Sequence, residues 1–355
     1  MKTASQVVLD CERMKYPNTG LYHYCLQLAQ ALQRNINKDN EQLKLYVRRQ
    51  TEADFGKGFS FIPQHSLHKF FMPLKKEYDV WHATYQGTNY FPFQKKIPTV
   101  LTIHDLNFLY DEHKASEKKE KYLKQLAKKI KHSDHIVTIS NFVLDDVKQH
   151  FDLEKKTCSV IYNGCNISDD IIPAIAESKK PAASFFYTIG TIVDKKNFHV
   201  LPPLLANNDK LLIISGVTNS QPYKEKIINE AIKYNVENRV IFTGPITETE
   251  KYWYLKNCEA FLFPSIAEGF GLPVIEAMHF GKPVILSTHT SLPEIGGNEA
   301  YYFTDFEPEN MRQTLKTSMD HYNTTNPEGK IRARSDFFNW DVASNQYLQV
   351  YRSLF

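Results

Sequence analysis

Residues 263–277 read FPSIAEGFGLPVIEA and combine a strand end, a glycine turn and a helix start. The apolar run Ala260–Phe263 predicts a buried strand, and a helix is predicted from Leu272-Pro273, because proline suits a first helical turn. Between them, Gly269 and Gly271 allow close approach of the backbone and expose amide donors. Since the helix dipole adds positive potential there, the turn suits a phosphate.

Two carboxylates flank this turn. Glu268 lies on the predicted loop, and Glu276 lies about one turn into the predicted helix. They could accept hydrogen bonds from hydroxyls on either side of a phosphate, and a nucleotide sugar carries ribose hydroxyls, a pyrophosphate and sugar hydroxyls in that order. An ordinary strand, turn and helix with two surface glutamates fits the same spacing equally well.

Short apolar runs alternate with helical patterns along the whole chain, which favours parallel sheets covered by helices. Strands are predicted in the first half at Val7–Leu9, Leu45–Val47, Val80–His82, Thr99–Ile103, His135–Ile139 and Ser159–Tyr162. In the second half they are predicted at Phe185–Ile189, Leu211–Ser215, Val240–Phe242, Ala260–Phe263 and Pro283–Leu286. The predicted fold class is therefore α/β, with two doubly wound, Rossmann-like domains.

The domain boundary is predicted after the Asn163-Gly164 turn, because 164–184 is polar, contains proline and lacks periodicity. A length of 355 residues agrees with two domains at about 100–200 residues each. We predict an N-terminal domain over 1–165 and a C-terminal domain over 166–337. Residues 338–355 are predicted to form a last helix that packs back on the first domain.

Composition excludes several classes of protein. Hydrophobic residues make up 42% and charged residues 23%, as in a soluble globular chain. No apolar run reaches the roughly 18 residues that span a bilayer, and the N-terminal apolar run is too short for a signal peptide. The five cysteines form no CxxC pair, so we expect reduced thiols in a cytoplasmic protein, with no zinc site or disulfide framework.

Charge is unevenly distributed. Residues 1–165 carry 25 Lys/Arg against 18 Asp/Glu, whereas 166–355 carry 18 against 22. Nucleic acid, an anionic membrane surface or a phosphorylated acceptor are possible partners of the basic half. Residues 114–131 hold eight lysines and two glutamates. This stretch predicts either a helix with one buried stripe and a solvated lysine face, or a basic helix facing anionic lipid at the inner membrane face.

The E-G-F-G-L-P-x-x-E-A pattern resembles the Glu-x7-Glu motif of the family-4 retaining glycosyltransferases (glycosyltransferase group 1), which have the GT-B fold. Further segments resemble that family in the same chain order. They are Asp10–Tyr24 with Arg13 and Asn18-Thr19-Gly20, Thr102–Leu106 (TIHDL), Ile136–Asn141, Val160–Asn166 (VIYNGCN), Gly190–Asn197 (GTIVDKKN), Asn238–Gly244 (NRVIFTG) and Ser291–Gly297 (SLPEIGG). The resemblance implies two domains facing a central cleft, with the acceptor bound by the first and the donor by the second.

The resemblance also implies roles for single residues. Glu276 would bind the nucleotide ribose, Glu268 the donor sugar, and Lys196 the leaving diphosphate. His104 would lie beside the transferred sugar, although a histidine at a strand end often only satisfies backbone groups. The implied catalytic set is His104, Lys196 and Glu268, and the implied donor-binding set is Gly20, Gly190, Lys196, Gly244, Ile246, Glu268, Gly269, Phe270, Gly271, Leu272 and Glu276.

The phosphate loop departs from the family pattern in one position. Many members have arginine directly after the glycine that corresponds to Gly190, and this chain has Thr191. Phosphate binding would then depend on Lys196, unless the adjacent Lys195 takes its place. No Asp-x-Asp metal site, pyridoxal phosphate lysine site or GxGxxG is evident, so no cofactor or metal is expected.

The expected activity is retaining, metal-independent sugar transfer from a nucleotide sugar to a saccharide acceptor that is lipid-linked, in cell-surface polysaccharide or lipopolysaccharide assembly. Mannose from GDP-mannose is the preferred donor, because GTIVDKKN and SLPEIGG are similar to mannosyltransferase-like members. Nucleic acid is not the expected partner. Two alternatives stay open: a nucleotide-sugar epimerase of the same fold, and a catalytically silent binding subunit of a polysaccharide assembly complex.

Overall fold

The computed structural model describes residues 4–17, 19–94, 97–111, 114–167 and 172–355. The chain forms two compact units, Met1–Gly164 with Phe338–Phe355, and Cys165–Phe337. Asn18 of the predicted glycine loop and residues 168–171 of the predicted linker lie outside the described residues.

The first unit contains a seven-stranded sheet in the order β3-β2-β1-β4-β5-β6-β7, and its strand pairs are all parallel. The strands are β1 (Ser5–Asp10), β2 (Glu41–Val47), β3 (Ser60–Pro63), β4 (Val80–Ala83), β5 (Thr99–Ile103), β6 (His135–Thr138) and β7 (Thr157–Val160). The helices of this unit are α1 (Gly20–Asn35), α2 (Ser116–His132), α3 (Asn141–His150) and, from the C-terminus, α10 (Trp340–Arg352).

The second unit contains a six-stranded parallel sheet in the order β10-β9-β8-β11-β12-β13. Its strands are β8 (Phe185–Ile189), β9 (Leu211–Ser215), β10 (Val240–Gly244), β11 (Ala260–Phe263), β12 (Val284–Ser287) and β13 (Tyr301–Phe303). Its helices are α4 (Gln221–Lys233), α5 (Glu248–Asn257), α6 (Leu272–His279), α7 (Leu292–Gly296), α8 (Pro308–Thr325) and α9 (Glu328–Asp336). The predicted α/β class with two Rossmann-like parallel sheets is confirmed.

Central strands follow the apolar runs of the sequence, because parallel strands are buried on both faces. β11 and β12, for example, are buried along their whole length. The prediction missed β3 and β13, which lie at sheet edges and are short. No residue of β3 is buried, and only Phe303 is buried in β13. A three- or four-residue edge strand has too few buried side chains to leave a pattern in the sequence.

Helix α10 packs within the first unit through a buried polar network. The imidazole of His82 is 2.7 Å from the Tyr351 hydroxyl and 2.7 Å from the Thr102 hydroxyl, while the Tyr24 and Tyr347 hydroxyls are 2.7 Å apart. Burial lowers the pKa of His82 to about 3, so the ring is neutral. The C-terminal helix therefore completes the core of the unit that holds the N-terminus.

Helix α2 contains most of the lysine-rich stretch. One of its lysines, Lys129, does not belong to the solvent-exposed face that the sequence predicted. Leu126 and Ile130 are buried as an apolar stripe, but Lys129 is buried with them and donates a hydrogen bond of 2.6 Å to the Gln86 carbonyl. Burial lowers the pKa of Lys129 to about 8. Lys129 is therefore part of the interior, and the exposed lysines of the helix are Lys118, Lys121, Lys124, Lys128 and Lys131.

Candidate active site

The strand order of the second sheet reverses at β8: β9 and β10 are added on one side of it, and β11, β12 and β13 on the other. In doubly wound sheets, ligands bind outside the carboxyl ends of the strands at such a switch point. The loop after β8 contains Gly190 and Lys196, and the loop after β11 contains Glu268. The topology thus brings together, at one sheet edge, loops that are about 70 residues apart in the chain.

Lys196 and Glu268 form a hydrogen-bonded ion pair at this edge, with only 13% of either side chain exposed. The same Glu268 oxygen accepts a hydrogen bond of 2.6 Å from the Ser265 hydroxyl. The lysine ammonium also lies 4.8 Å from the centre of the Phe263 ring. The carboxylate and the ammonium that the resemblance assigns to the donor are therefore in direct contact.

The neighbouring lysine charges determine the protonation state of Glu268. Burial raises the pKa of this carboxyl, but the charges of Lys196 and Lys195 and the hydrogen bonds from Lys196 and Ser265 outweigh it, so the pKa is lowered. Glu268 is thus held as a carboxylate that accepts hydrogen bonds and donates none.

The two adjacent lysines of the phosphate loop have different surroundings. Lys195 is exposed, and its backbone carbonyl accepts a hydrogen bond of 2.9 Å from the Ile266 amide and lies 3.0 Å from the Ser265 hydroxyl oxygen. The aliphatic chain of Lys196 instead lies against Gly190, where an added Cβ would be 3.1 Å from Lys196 Cε. The loop therefore directs Lys196, not Lys195, toward Glu268.

The glycine turn before α6 has the geometry expected of a ligand-binding turn. Gly271 is the N-cap of α6 with φ of 115°, a left-handed conformation that favours glycine, and Pro273 lies in the first turn. The Ser291 hydroxyl is 3.0 Å from the Glu268 carbonyl and 2.9 Å from the Phe270 carbonyl. The loop of Glu268–Leu272 is thus held rigidly at the positive end of a helix dipole.

Glu276 lies on α6, only 2% exposed, and its Oε1 accepts hydrogen bonds from Lys251 at 3.0 Å and Asn166 at 3.3 Å. Lys251 also pairs with Glu248 at 2.9 Å. Burial opposes the charge of Lys251, but the two carboxylates outweigh it and raise its pKa. Sequence reasoning missed Lys251, because no local pattern links a residue of α5 to a glutamate 25 positions away.

Gly244 and Ile246 lie at the end of β10, beside β9. The Gly244 carbonyl accepts a hydrogen bond of 2.9 Å from the Gly216 amide. An added Cβ on Gly216 would lie 2.0 Å from the Gly190 carbonyl oxygen, so glycine is required where the ends of β8 and β9 approach each other. This edge therefore carries the predicted donor-binding residues of the second unit, except Glu276, which lies inside α6.

The other two predicted site residues belong to the first unit. Gly20 is the first residue of α1, is exposed and has no atom within 4 Å of an added Cβ, so nothing in this unit requires glycine there. His104 directly follows β5 and is 8% exposed. Its Nε2 donates a hydrogen bond of 2.8 Å to the Thr84 carbonyl.

The Thr84 carbonyl thus fixes the tautomer and orientation of the His104 ring, which then has Nδ1 as its acceptor. Burial lowers the pKa of His104 to about 4, against the raising effects of the Thr84 hydrogen bond and the Asp105 charge. A neutral imidazole can accept a hydrogen bond from a hydroxyl but cannot supply a positive charge near neutral pH.

Two family models match consecutive parts of the chain. The Glycosyltransferase Family 4 model matches residues 20–169, and the Glycosyl transferases group 1 model matches residues 172–324. The chain is similar to the O-antigen chain mannosyltransferase RfbU of Salmonella typhimurium, with 27% identity over 67% of this chain and 66% of the relative. It is also similar to O-antigen chain mannosyltransferase B of Escherichia coli, with 22% identity over 98% of this chain and 100% of the relative.

Solved structures share the fold over nearly the whole chain. Sucrose-phosphate synthase from Thermosynechococcus elongatus superposes with a TM-score of 0.76, 18% identity and 99% coverage of both chains. HepE from Anabaena, solved with UDP-glucose, superposes with a TM-score of 0.72 at 17% identity, over 98% of this chain and 99% of that chain.

None of the described helices is long and apolar enough to cross a membrane. No group of three or more His, Cys, Asp or Glu side chains that could hold a metal ion occurs in the part of the chain that the structure describes. Two sequence models that divide the chain between them, together with the matching fold of two parallel sheets, show that it belongs to the family-4, group 1 glycosyltransferases with the GT-B fold.

Proposed function

We propose that this enzyme transfers mannose from GDP-mannose to a lipid-linked saccharide, with retention of configuration and without a metal ion, in the assembly of a cell-surface polysaccharide or lipopolysaccharide. The observation that carries the proposal is the Lys196–Glu268 pair at the switch point of the second sheet, beside the N-terminus of α6.

A nucleotide-sugar donor suits this pair chemically. Negative charge accumulates on the diphosphate as the bond to the sugar breaks, and an ammonium group and helix amides stabilise that charge. Because a diphosphate competes with Glu268 for Lys196, donor binding would release the carboxylate to accept hydrogen bonds from sugar hydroxyls. Glu276 would accept hydrogen bonds from the ribose. HepE, a structural relative, was solved with UDP-glucose.

The choice of mannose and of a polysaccharide pathway rests on the relatives. Both relatives described above are named O-antigen chain mannosyltransferases. The segments GTIVDKKN and SLPEIGG also favour mannose, because they are similar to mannosyltransferase-like members of the family. In the structure they follow β8 and β12 at the same sheet edge.

A membrane-facing first unit would suit a lipid-linked acceptor. In addition to the exposed lysines of α2, the first unit has three exposed apolar side chains in the short segment 66–71. The exposed fractions of Leu67, Phe70 and Phe71 are 63%, 71% and 78%. Lysines at 69, 75 and 76 adjoin these side chains in sequence. Apolar side chains flanked by lysines are the combination that binds an anionic lipid surface.

The test begins with thermal-shift measurements of the full chain against GDP-mannose, UDP-glucose and UDP-N-acetylglucosamine. We expect GDP-mannose to give the largest shift. Transfer to a lipid-linked saccharide is then followed in excess EDTA, and the anomeric configuration of the product is determined by NMR. We expect unchanged turnover in EDTA and an α-linked product from the α-linked donor.

Each alternative has its own outcome. Conversion of the nucleotide sugar without an acceptor would indicate the epimerase, and donor binding without any turnover would indicate the silent subunit. Loss of activity in EDTA with recovery in Mg²⁺ would overturn the metal-free mechanism. A larger shift with a UDP-sugar would overturn the choice of GDP-mannose but not sugar transfer.

A further inference from the structure

The first sheet has its own switch point, at β1, which pairs with β2 on one side and β4 on the other. Arg13 follows β1, and Tyr85 follows β4. The guanidinium carbon of Arg13 lies 4.6 Å from the centre of the Tyr16 ring and 4.7 Å from that of the Tyr85 ring. Two aromatic rings thus hold a cation at the position where doubly wound sheets bind ligands.

The position of Tyr85 is itself constrained. An added Cβ on Gly87 would lie 2.4 Å from Tyr85 Cε1 and 2.8 Å from its hydroxyl oxygen. The ring therefore lies directly over the Gly87 backbone, and a larger residue at that position would displace it. The turn after β4 therefore fixes the position of the Tyr85 ring, and the ring in turn positions the Arg13 guanidinium.

Arg13 has no carboxylate partner among the residues that the structure describes, and its buried Nε has no hydrogen-bond acceptor there. The neighbouring carboxylates are engaged elsewhere. Glu12 pairs with Lys15, while Asp10 accepts hydrogen bonds from the Thr88 hydroxyl at 2.8 Å and the Glu12 amide at 3.0 Å.

A guanidinium carries five N–H donors in one plane and cannot lose its charge. The tyrosine rings interact with the charge through their faces and accept none of these in-plane donors strongly. Planar donors of this kind match the oxygens of a phosphate, which they bind with two parallel hydrogen bonds. Arg13 is thus a preorganised cation for which the described part of the chain supplies two aromatic rings and no acceptor for the buried Nε.

We propose that Arg13, positioned by Tyr16 and Tyr85, binds a phosphate group of a substrate in the first unit. The site itself follows from the geometry of this unit. Only the source of the phosphate, which is the diphosphate of the nucleotide donor or that of a lipid-linked acceptor, rests on the proposed function.

The test measures binding and requires no turnover. Calorimetric titrations with GDP and, separately, with farnesyl diphosphate are compared for the wild type, Arg13→Gln and Arg13→Lys. Arg49→Gln is the matched control, because it removes the same charge from an exposed position of the same unit. We expect Arg13→Gln to weaken the binding of at least one probe by about 10- to 100-fold, since hydrogen bonds to charged groups are strong.

Arg13→Lys retains the charge without the planar donors, so an intermediate loss is expected. Gly87→Ala, which displaces the Tyr85 ring but keeps the arginine, should weaken the same probe. Melting temperatures identify any variant that fails to fold.

The probes distinguish the two sources. Weaker binding of GDP alone assigns the donor diphosphate, and weaker binding of farnesyl diphosphate alone assigns the acceptor diphosphate. If a folded Arg13→Gln binds both probes as tightly as Arg49→Gln does, the proposal is overturned. If the wild type transfers no sugar but Arg13→Gln still weakens the binding of a probe, the proposed function is overturned and the phosphate site is not.

Discussion

The two sheets have equivalent switch points that differ in their charges. In the second unit, Lys196 pairs with Glu268, and Lys251 pairs with Glu276. In the first unit, Arg13 has no carboxylate partner among the described residues, and burial raises the pKa of Asp10 to about 7. A ligand at the second edge would therefore exchange with an existing partner, whereas a ligand at the first would meet a cation whose buried Nε has no acceptor among the described residues.

The same strand topology can therefore support two kinds of binding. Paired charges in a largely buried site are oriented without a ligand, and such preorganised charges suit the stabilisation of a charge that grows during a reaction. An unpaired guanidinium held by aromatic rings is suited to recognising a charge that the substrate already carries.

The largest effect is expected for Lys196→Ala. If this ammonium stabilises the charge that develops on the leaving diphosphate, as proposed, turnover should fall by about 100- to 1000-fold, with a smaller change in donor affinity. Steady-state kinetics and calorimetry separate the two quantities. Lys195→Ala is the control and should retain most activity, because its side chain is exposed. If Lys195→Ala were the more damaging change, the assignment of this loop would be wrong.

The next effect concerns Glu276→Gln, which keeps the shape of the side chain but removes the charge. Hydrogen bonds from charged groups contribute about 1.5–3 kcal/mol, so donor affinity should fall by about 10- to 100-fold. Glu248→Gln removes the other carboxylate that pairs with Lys251 and should leave donor affinity nearly unchanged. Equal donor affinity in wild type and folded Glu276→Gln, measured by calorimetry, would remove Glu276 from the site.

The pH dependence of stability distinguishes Asp10, the buried carboxyl group of the first unit, from Glu268, the ionised carboxylate of the second. Burial raises the pKa of Asp10 from 3.8 to about 7, against hydrogen bonds from the Glu12 amide and Thr88. Between these pH values the folded state holds a proton that the unfolded chain has lost. Stability therefore falls as pH rises through this range, by up to about 1.4 kcal/mol per pH unit.

Asp10→Asn lacks this proton, so its stability relative to the wild type should increase from pH 5 to pH 7 in urea denaturation. His82, whose pKa is lowered to about 3 by burial, acts in the opposite direction but is common to both proteins. Below pH 4.5, Glu268→Gln should show the opposite sign, because the lowered pKa of Glu268 stabilises the wild type above that pH and this contribution is lost as the carboxyl is protonated in acid. Parallel pH curves for wild type and Asp10→Asn would show that Asp10 is ionised throughout.

The smallest effect per residue is expected at the membrane surface. Each lysine near anionic lipid contributes about 1 kcal/mol, and salt screens this attraction. Replacing Lys118, Lys121 and Lys128 with Gln should reduce co-sedimentation with phosphatidylglycerol vesicles, while GDP binding stays intact. Phe70→Ser should reduce it too, with a weaker dependence on salt. If the wild type fails to bind such vesicles at low salt, the membrane-facing hypothesis is wrong.

Much of the fold was predictable because central strands of parallel sheets are continuous apolar runs. Thr99–Ile103, Phe185–Ile189, Leu211–Ser215 and Ala260–Phe263 were predicted with the bounds that the structure has. Strands β3 and β13 were missed, since edge strands bury little and need no apolar run. The lysine-rich helix was predicted too, but not the burial of Lys129, whose neighbours come from the β4 end.

Local patterns were enough to predict which residues follow most strands, because the apolar runs of central strands and the patterns of helices are local. Lys196 and Glu268 each follow such a run, and the pairing of β8 with β11 brings their loops to one sheet edge. Which charges meet and which are buried depends on the folded chain, as the contacts of Lys251 with Glu276 and of Arg13 with Tyr85 illustrate. The reason is physical: desolvation and Coulomb energy depend on distances between residues far apart in the chain, and no local pattern encodes those distances.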